Sequence, residues 1–145
     1  MAITTAMCNS FKQELLGGTH DLDTDTLKIA LIKESHTGTY GASTTNYSDV
    51  TGNSDEVTGT NYTAGGQTLD SASISLSSGT AFVDFADETF SNVTVAADGA
   101  IIYNSSQGNK AIAVFDFGGA ITSTSGDFTV VFPTADASNA VIRIS

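Results

Sequence analysis

Beyond Leu69 the chain runs apolar and polar residues in stretches of only four to seven, each closed by residues that turn a backbone. This punctuation constrains the fold more than any other feature, because such stretches are too short for helices and suit strands. The stretches are 72–77, 81–85, 89–95, 100–103, 111–117, 127–132 and 140–144. Between them stand Ser78-Gly79, Asp87-Glu88, Asp98-Gly99, Gln107-Gly108-Asn109, Gly118-Gly119, Ser125-Gly126 and Pro133. With Leu27–Lys33 the count predicts about eight strands. Short strands at regular spacing describe an antiparallel arrangement, since parallel strands need long helical crossovers that are absent here. The expected fold is all-β, an antiparallel β-sandwich of jelly-roll or immunoglobulin-like type with one short N-terminal helix. A chain of 145 residues has room for a single core, so one domain is expected over 1–145, its sandwich over 26–145.

The helix is predicted over 5–16, where Met7, Phe11 and Leu15 recur four apart, with Thr4 or Thr5 as cap and Gly17-Gly18 as stop. About three turns is marginal alone, so the Phe11 face must dock on something. Leu27–Lys33 carries apolar residues on both faces and reads as a central strand. Residues 34–67 form a long loop poor in aliphatics, with Tyr40, Tyr47 and Tyr62 as its large side chains. It ends at Gly65-Gly66, where the chain turns into a sheet edge without a Cβ penalty. Phe82, Phe85, Phe90, Phe115, Phe117, Phe128 and Phe132 are expected to pack the core between two sheets.

Five Lys plus Arg against sixteen Asp plus Glu leave a formal net charge of −11. A polyanion is repelled by such a surface, and Lys12, Lys28, Lys33, Lys110 and Arg143 form no stripe, so no nucleic-acid partner is expected. The same sign disfavours an anionic membrane, and no apolar run approaches a membrane span. The first eight residues lack the charged and apolar regions of an export signal, which reads as a soluble protein. Cys8 stands alone, excludes an intrachain disulfide, and is expected to be a buried apolar residue.

No constellation carries chemistry. His20 and His36 lack the neighbours of a zinc site, and His20 is expected to bond a free carbonyl at the helix end. Asp21, Asp23 and Asp25, or Asp84, Asp87 and Glu88, are the oxygen clusters calcium prefers, but the Asp21 run lacks the glycine and glutamate of an EF-hand loop, so they read as surface charge. Asp84 and Asp116 lie in short strands with no cleft to make them a glycosidase pair. Gly65-Gly66 and Gly118-Gly119 lack a following P-loop Lys and read as turns. No catalytic residue, metal or cofactor is expected.

Several segments occur in an order that carries a resemblance: Cys-Asn-Ser-Phe-Lys-Gln-Glu-Leu-Leu-Gly-Gly-Thr-His from Cys8, Leu-Lys-Ile-Ala-Leu-Ile from Leu27, and Glu-Val-Thr-Gly-Thr-Asn-Tyr-Thr-Ala-Gly-Gly-Gln-Thr-Leu from Glu56. Ala-Ile-Ile-Tyr-Asn-Ser-Ser from Ala100, Asn-Lys-Ala-Ile-Ala-Val-Phe-Asp-Phe-Gly from Asn109, and Phe128 to Pro133 with Ala140 to Ile144 continue it. In this order the chain resembles a family of small tailed-bacteriophage virion structural proteins. The resemblance implies no catalysis and a place in the virion, assembled in the bacterial host cytoplasm. Among the places on such a particle, the leading expectation is a capsid decoration (cement) protein that binds the outer head shell, with the major capsid protein or other virion proteins as partners, as a homo-oligomer, a trimer at a threefold position. The surfaces expected to make contact, since a sandwich core does not need them, are Met7, Phe11 and Leu15 on the helix, unless the helix simply caps the sandwich end, and the loop carrying Tyr40, Tyr47 and Tyr62. The alternative is a tail, baseplate or fibre-associated protein that meets a host glycan through those tyrosines.

Overall fold

The computed structural model describes residues 2–145 and holds two antiparallel sheets, a short helix at the N-terminal side and eight strands, a β-sandwich as expected. In chain order the elements are β1 (Ala6–Met7), α1 (Asn9–Leu16), β2 (Leu27–Lys33), α2 (Ser48–Thr51), β3 (Gln67–Thr68), β4 (Ser73–Ser77), β5 (Thr80–Asp84), β6 (Glu88–Asn104), β7 (Lys110–Val130) and β8 (Ile142–Ile144). The first sheet runs β1-β7-β6-β2-β3 and the second β4-β5-β8. Leu27–Lys33 is the interior strand its two apolar faces predict, paired to β6 on one side and β3 on the other.

The strand bounds differ from the expected ones in an informative way. The stretches 89–95 and 100–103 belong to one 17-residue strand, β6, and 111–117 with 127–130 of the last stretch to one 21-residue strand, β7. The two form a long hairpin closed by a 3-10 turn at Ser105–Gln107, with left-handed Gly108 and Asn109 after it. Gly118-Gly119 is therefore no turn between strands. Gly99 opposes Asp116 and Ala97 opposes Ile121, so three more residues lie on the β7 side than on the β6 side of that interval, and both glycines take positive φ within the bulge. Asn92 and Ser125, also at positive φ, mark further irregularities along the hairpin. A bulge and a turn need the same left-handed residues, so the local signal is shared.

At the N-terminus the helix is shorter than 5–16. Residues 6–7 pair with β7 instead, Ala6 opposite Val114 and Met7 opposite Ala113. The cap position is Cys8, with no side-chain cap, and the Thr5 hydroxyl accepts from the Asp116 amide rather than from the helix. Gly18 supplies the left-handed residue after the helix, where the Thr19 amide reaches back to the Glu14 carbonyl.

One contiguous core draws on both sheets and on α1. Phe82, Phe85, Phe90, Phe128 and Phe132 are buried as expected, whereas Phe115 and Phe117 are half-buried at its border. Phe90 meets Phe128 edge-on at 6.4 Å, and Phe85, just past β5, lies 6.0 Å from Phe132, just past β7. Cys8 is fully buried, its thiol 3.8 Å from the Gly41 carbonyl, and burial pushes its pKa up to about 12. It is an inert core residue under ordinary conditions.

Candidate interaction surface

The loop 34–67 is held down from within. Asp55 and Glu56 are consecutive, and Glu56 bridges to Ile32 in extended backbone, so their side chains point to opposite sides. On one side the buried Asp55 carboxylate accepts from the Tyr40 hydroxyl at 2.6 Å and from the Gly38 and Thr37 amides at 2.8 and 2.9 Å. Burial alone raises a carboxyl's pKa, but these bonds, with Lys33 at 3.8 Å, outweigh it and hold Asp55 below its ordinary value. On the other side Glu56 accepts from the Tyr62 hydroxyl at 2.9 Å, the Gly65 amide at 2.7 Å, and the Tyr47 hydroxyl. The Tyr62 hydroxyl in turn accepts from the Leu31 amide of β2, and the Tyr103 hydroxyl donates to the Gly65 carbonyl at 2.6 Å.

These tyrosines are therefore inward-facing. Tyr40 is buried, Tyr47 stacks on Tyr103 at 4.4 Å, and Tyr62 stacks on Phe90 at 5.6 Å. Burial and then the nearby carboxylates push Tyr40 up to about 12, and push Tyr47 and Tyr62 well above the usual phenol range. All three stay neutral donors, Tyr40 buried and Tyr47 and Tyr62 half-buried. Phe11 is likewise fully buried, its ring 5.0 Å from that of His20. Of the six side chains expected to meet a partner, Met7 and Leu15 alone border an exposed apolar region.

Several of the titratable groups singled out in the sequence are also tied internally. His20 is buried and its Nδ1 accepts from Asn104, which leaves Nε2 to donate to Glu14 at 3.4 Å; its partners are side chains rather than the expected carbonyl. Asn104 also donates to Asp25, which holds that carboxyl below its ordinary value. Asp21 accepts from the Asp23 and Thr24 amides, and Asp87 from the Phe132 amide. Among the described residues no three His, Cys, Asp or Glu side chains gather as a metal ligand set. Nor, among the described residues, is any helix long and apolar enough to cross a membrane.

What faces solvent with an apolar character is a different set. Leu16, Ile74, Leu76 and Ile144 are exposed, Leu16 at 92% and Leu76 at 75%. The ladder shows why: Ile74 pairs with Val83 and Val83 with Ile142, an inner row that reaches the core, while Leu76, Ala81 and Ile144 form an outer row on the same face. Between this face and the end of α1 opens a cleft of about 400 Å³ lined by Leu15, Leu22, Ile74, Val83, Ile142 and Ile144. A second apolar shelf, Phe117, Ile121, Phe128 and Val131, lies along β7. Contiguous exposed aliphatics of this kind mark contact surfaces more often than scattered ones do. The alternation at 73–77 was legible as a strand, but nothing local told that its apolar face would end in solvent.

No protein-family model, no curated protein and no solved structure matches the chain.

Proposed function

We propose that this chain is a structural component of a tailed-phage particle, a capsid decoration protein that binds the outer face of the head shell and stabilises it. The observation that carries the proposal is the distribution of its side chains: the tyrosines and several of the carboxylates close the fold, while aliphatic side chains of α1, β4 and β8 are left outside. A protein whose work is to clamp neighbouring subunits needs such a surface and no reactive centre. The succession of segments from Cys8 to Ile144 that resemble small virion proteins supports a virion partner, and a place on the head shell makes that partner the major capsid protein. The net charge of −11 suits a particle component that must stay soluble before it assembles.

The test is to mix the purified protein with decoration-free capsids and with isolated tails of the same phage and to image both by electron microscopy. Regular added density on the heads is the expected result. Density on tails alone overturns the proposal and favours the tail or baseplate reading.

A further inference from the structure

We propose that β4 is a self-pairing edge through which two copies of this chain join about a two-fold axis at Ser75, a contact that does not depend on the phage reading. β4 is the outer strand of the sheet β4-β5-β8, and all five of its residues are exposed. An antiparallel strand turns the N–H and C=O of every second residue away from its one neighbour, so β4 offers a row of donors and acceptors to a further strand. Natural edges are guarded against this by charge, proline, bulges or cover. β4 has none of the first three: its sequence is Ser-Ile-Ser-Leu-Ser, and its pairing with β5 runs from Ser73 to Ser77 without a register shift.

The strand's own sequence selects a second copy as the occupant, since uncharged Ser-Ile-Ser-Leu-Ser keeps its serine and aliphatic positions when reversed. Each copy carries −11, so most ways of bringing two together set acid against acid. Antiparallel pairing of β4 with itself about Ser75 does not. Ser73 then faces Ser77 of the other copy, Ser75 faces its own equivalent, and Ile74 faces Leu76, all uncharged. The acid nearest in the ladder, Asp84, sits opposite Ser73 on the inner strand β5. The register also places the exposed Ile74 and Leu76 of each copy beside those of the other on one face, where they shield each other from water. Identical antiparallel strands pair isologously, so the geometry favours a two-fold over the threefold expected of a decoration protein.

Sedimentation velocity on the full chain across a wide concentration range is the experiment, with Ser75→Glu and Ser75→Lys as variants. The wild type is expected to approach twice its 14.9 kDa mass as concentration rises. Each variant sets like charges face to face on the axis and is expected to weaken association up to about fivefold. An equimolar mixture of the two variants, which sets opposite charges there, is expected to recover the dimer. Amide exchange in the wild type gives a readout free of mutation: residues 73–77 should exchange more slowly as concentration rises. A wild type that stays monomeric, a trimer, a dimer indifferent to both variants, or exchange at β4 independent of concentration each overturns the proposal.

Discussion

At the scale of the residue, Asp55 is the side chain on which the loop 34–67 depends most. Its carboxylate is buried and accepts from a hydroxyl and two amides. Asp55→Ala leaves those donors without a partner, and we expect a loss of about 3 kcal/mol in urea unfolding. Because the folded carboxyl is held below 3.8, its contribution is complete above that value and disappears as pH falls through the depressed one. Glu88 has the opposite sign. Burial first, then the charge of Asp70, raises it above 4.5, so its contribution is complete below 4.5 and is lost as pH rises through the raised value. Glu88→Gln is therefore expected to raise the melting temperature at about pH 7 and to leave it unchanged at about pH 4, as read by calorimetry in the two buffers. A gain that is equal at both pH values would assign the effect to packing instead.

At the scale of the element, two glycines separate conformational strain from close approach. Gly118 and Gly66 both take positive φ, but a Cβ on Gly118 meets nothing, whereas one on Gly66 runs into the Ile29 carbonyl of β2. Gly118→Ala is expected to cost about 1 kcal/mol, the left-handed penalty alone. Gly66→Ala is expected to cost about 3 kcal/mol or more, since it also pushes the start of β3 off β2. Equal costs in chemical denaturation would show that the approach to Ile29 does not matter. The same comparison explains the merged strands. Both Gly65-Gly66 and Gly118-Gly119 looked like turns, yet only the first reverses the chain into a new strand, while the second sits inside the pairing of β7 with β6.

At the scale of the whole molecule, the fold is tied across its length: Ala6 pairs with Val114, Thr26 with Ser105 and Ser106, and Phe85 packs on Phe132. With one core shared by both sheets, unfolding followed by far-ultraviolet circular dichroism and by tyrosine fluorescence should give coincident single transitions. A separate early loss of the tyrosine signal would mean that the loop 34–67 opens on its own. Refolding should fall in the millisecond-to-second range typical of non-local β pairing, as measured by stopped flow.

The amino-acid sequence by itself determined the fold class, the interior position of β2, the burial of Cys8 and of most phenylalanines, because period-2 alternation and aromatic burial are local signals that any packing must respect. It also marked the places where the backbone takes positive φ, at Gly65, Gly66, Gly118 and Gly119. Only the tertiary structure decided whether such a place is a turn or a bulge, since that depends on which residues stand opposite across the hairpin. It likewise decided that Phe11, Tyr40, Tyr47 and Tyr62 face inward and that Ile74 and Leu76 face out. An aromatic in a loop turns inward when a carboxylate such as Asp55 or Glu56 is there to take its hydroxyl, and an aliphatic on a strand stays out when the sheet ends beside it. Both conditions are set by partners distant in the chain, which no local pattern contains.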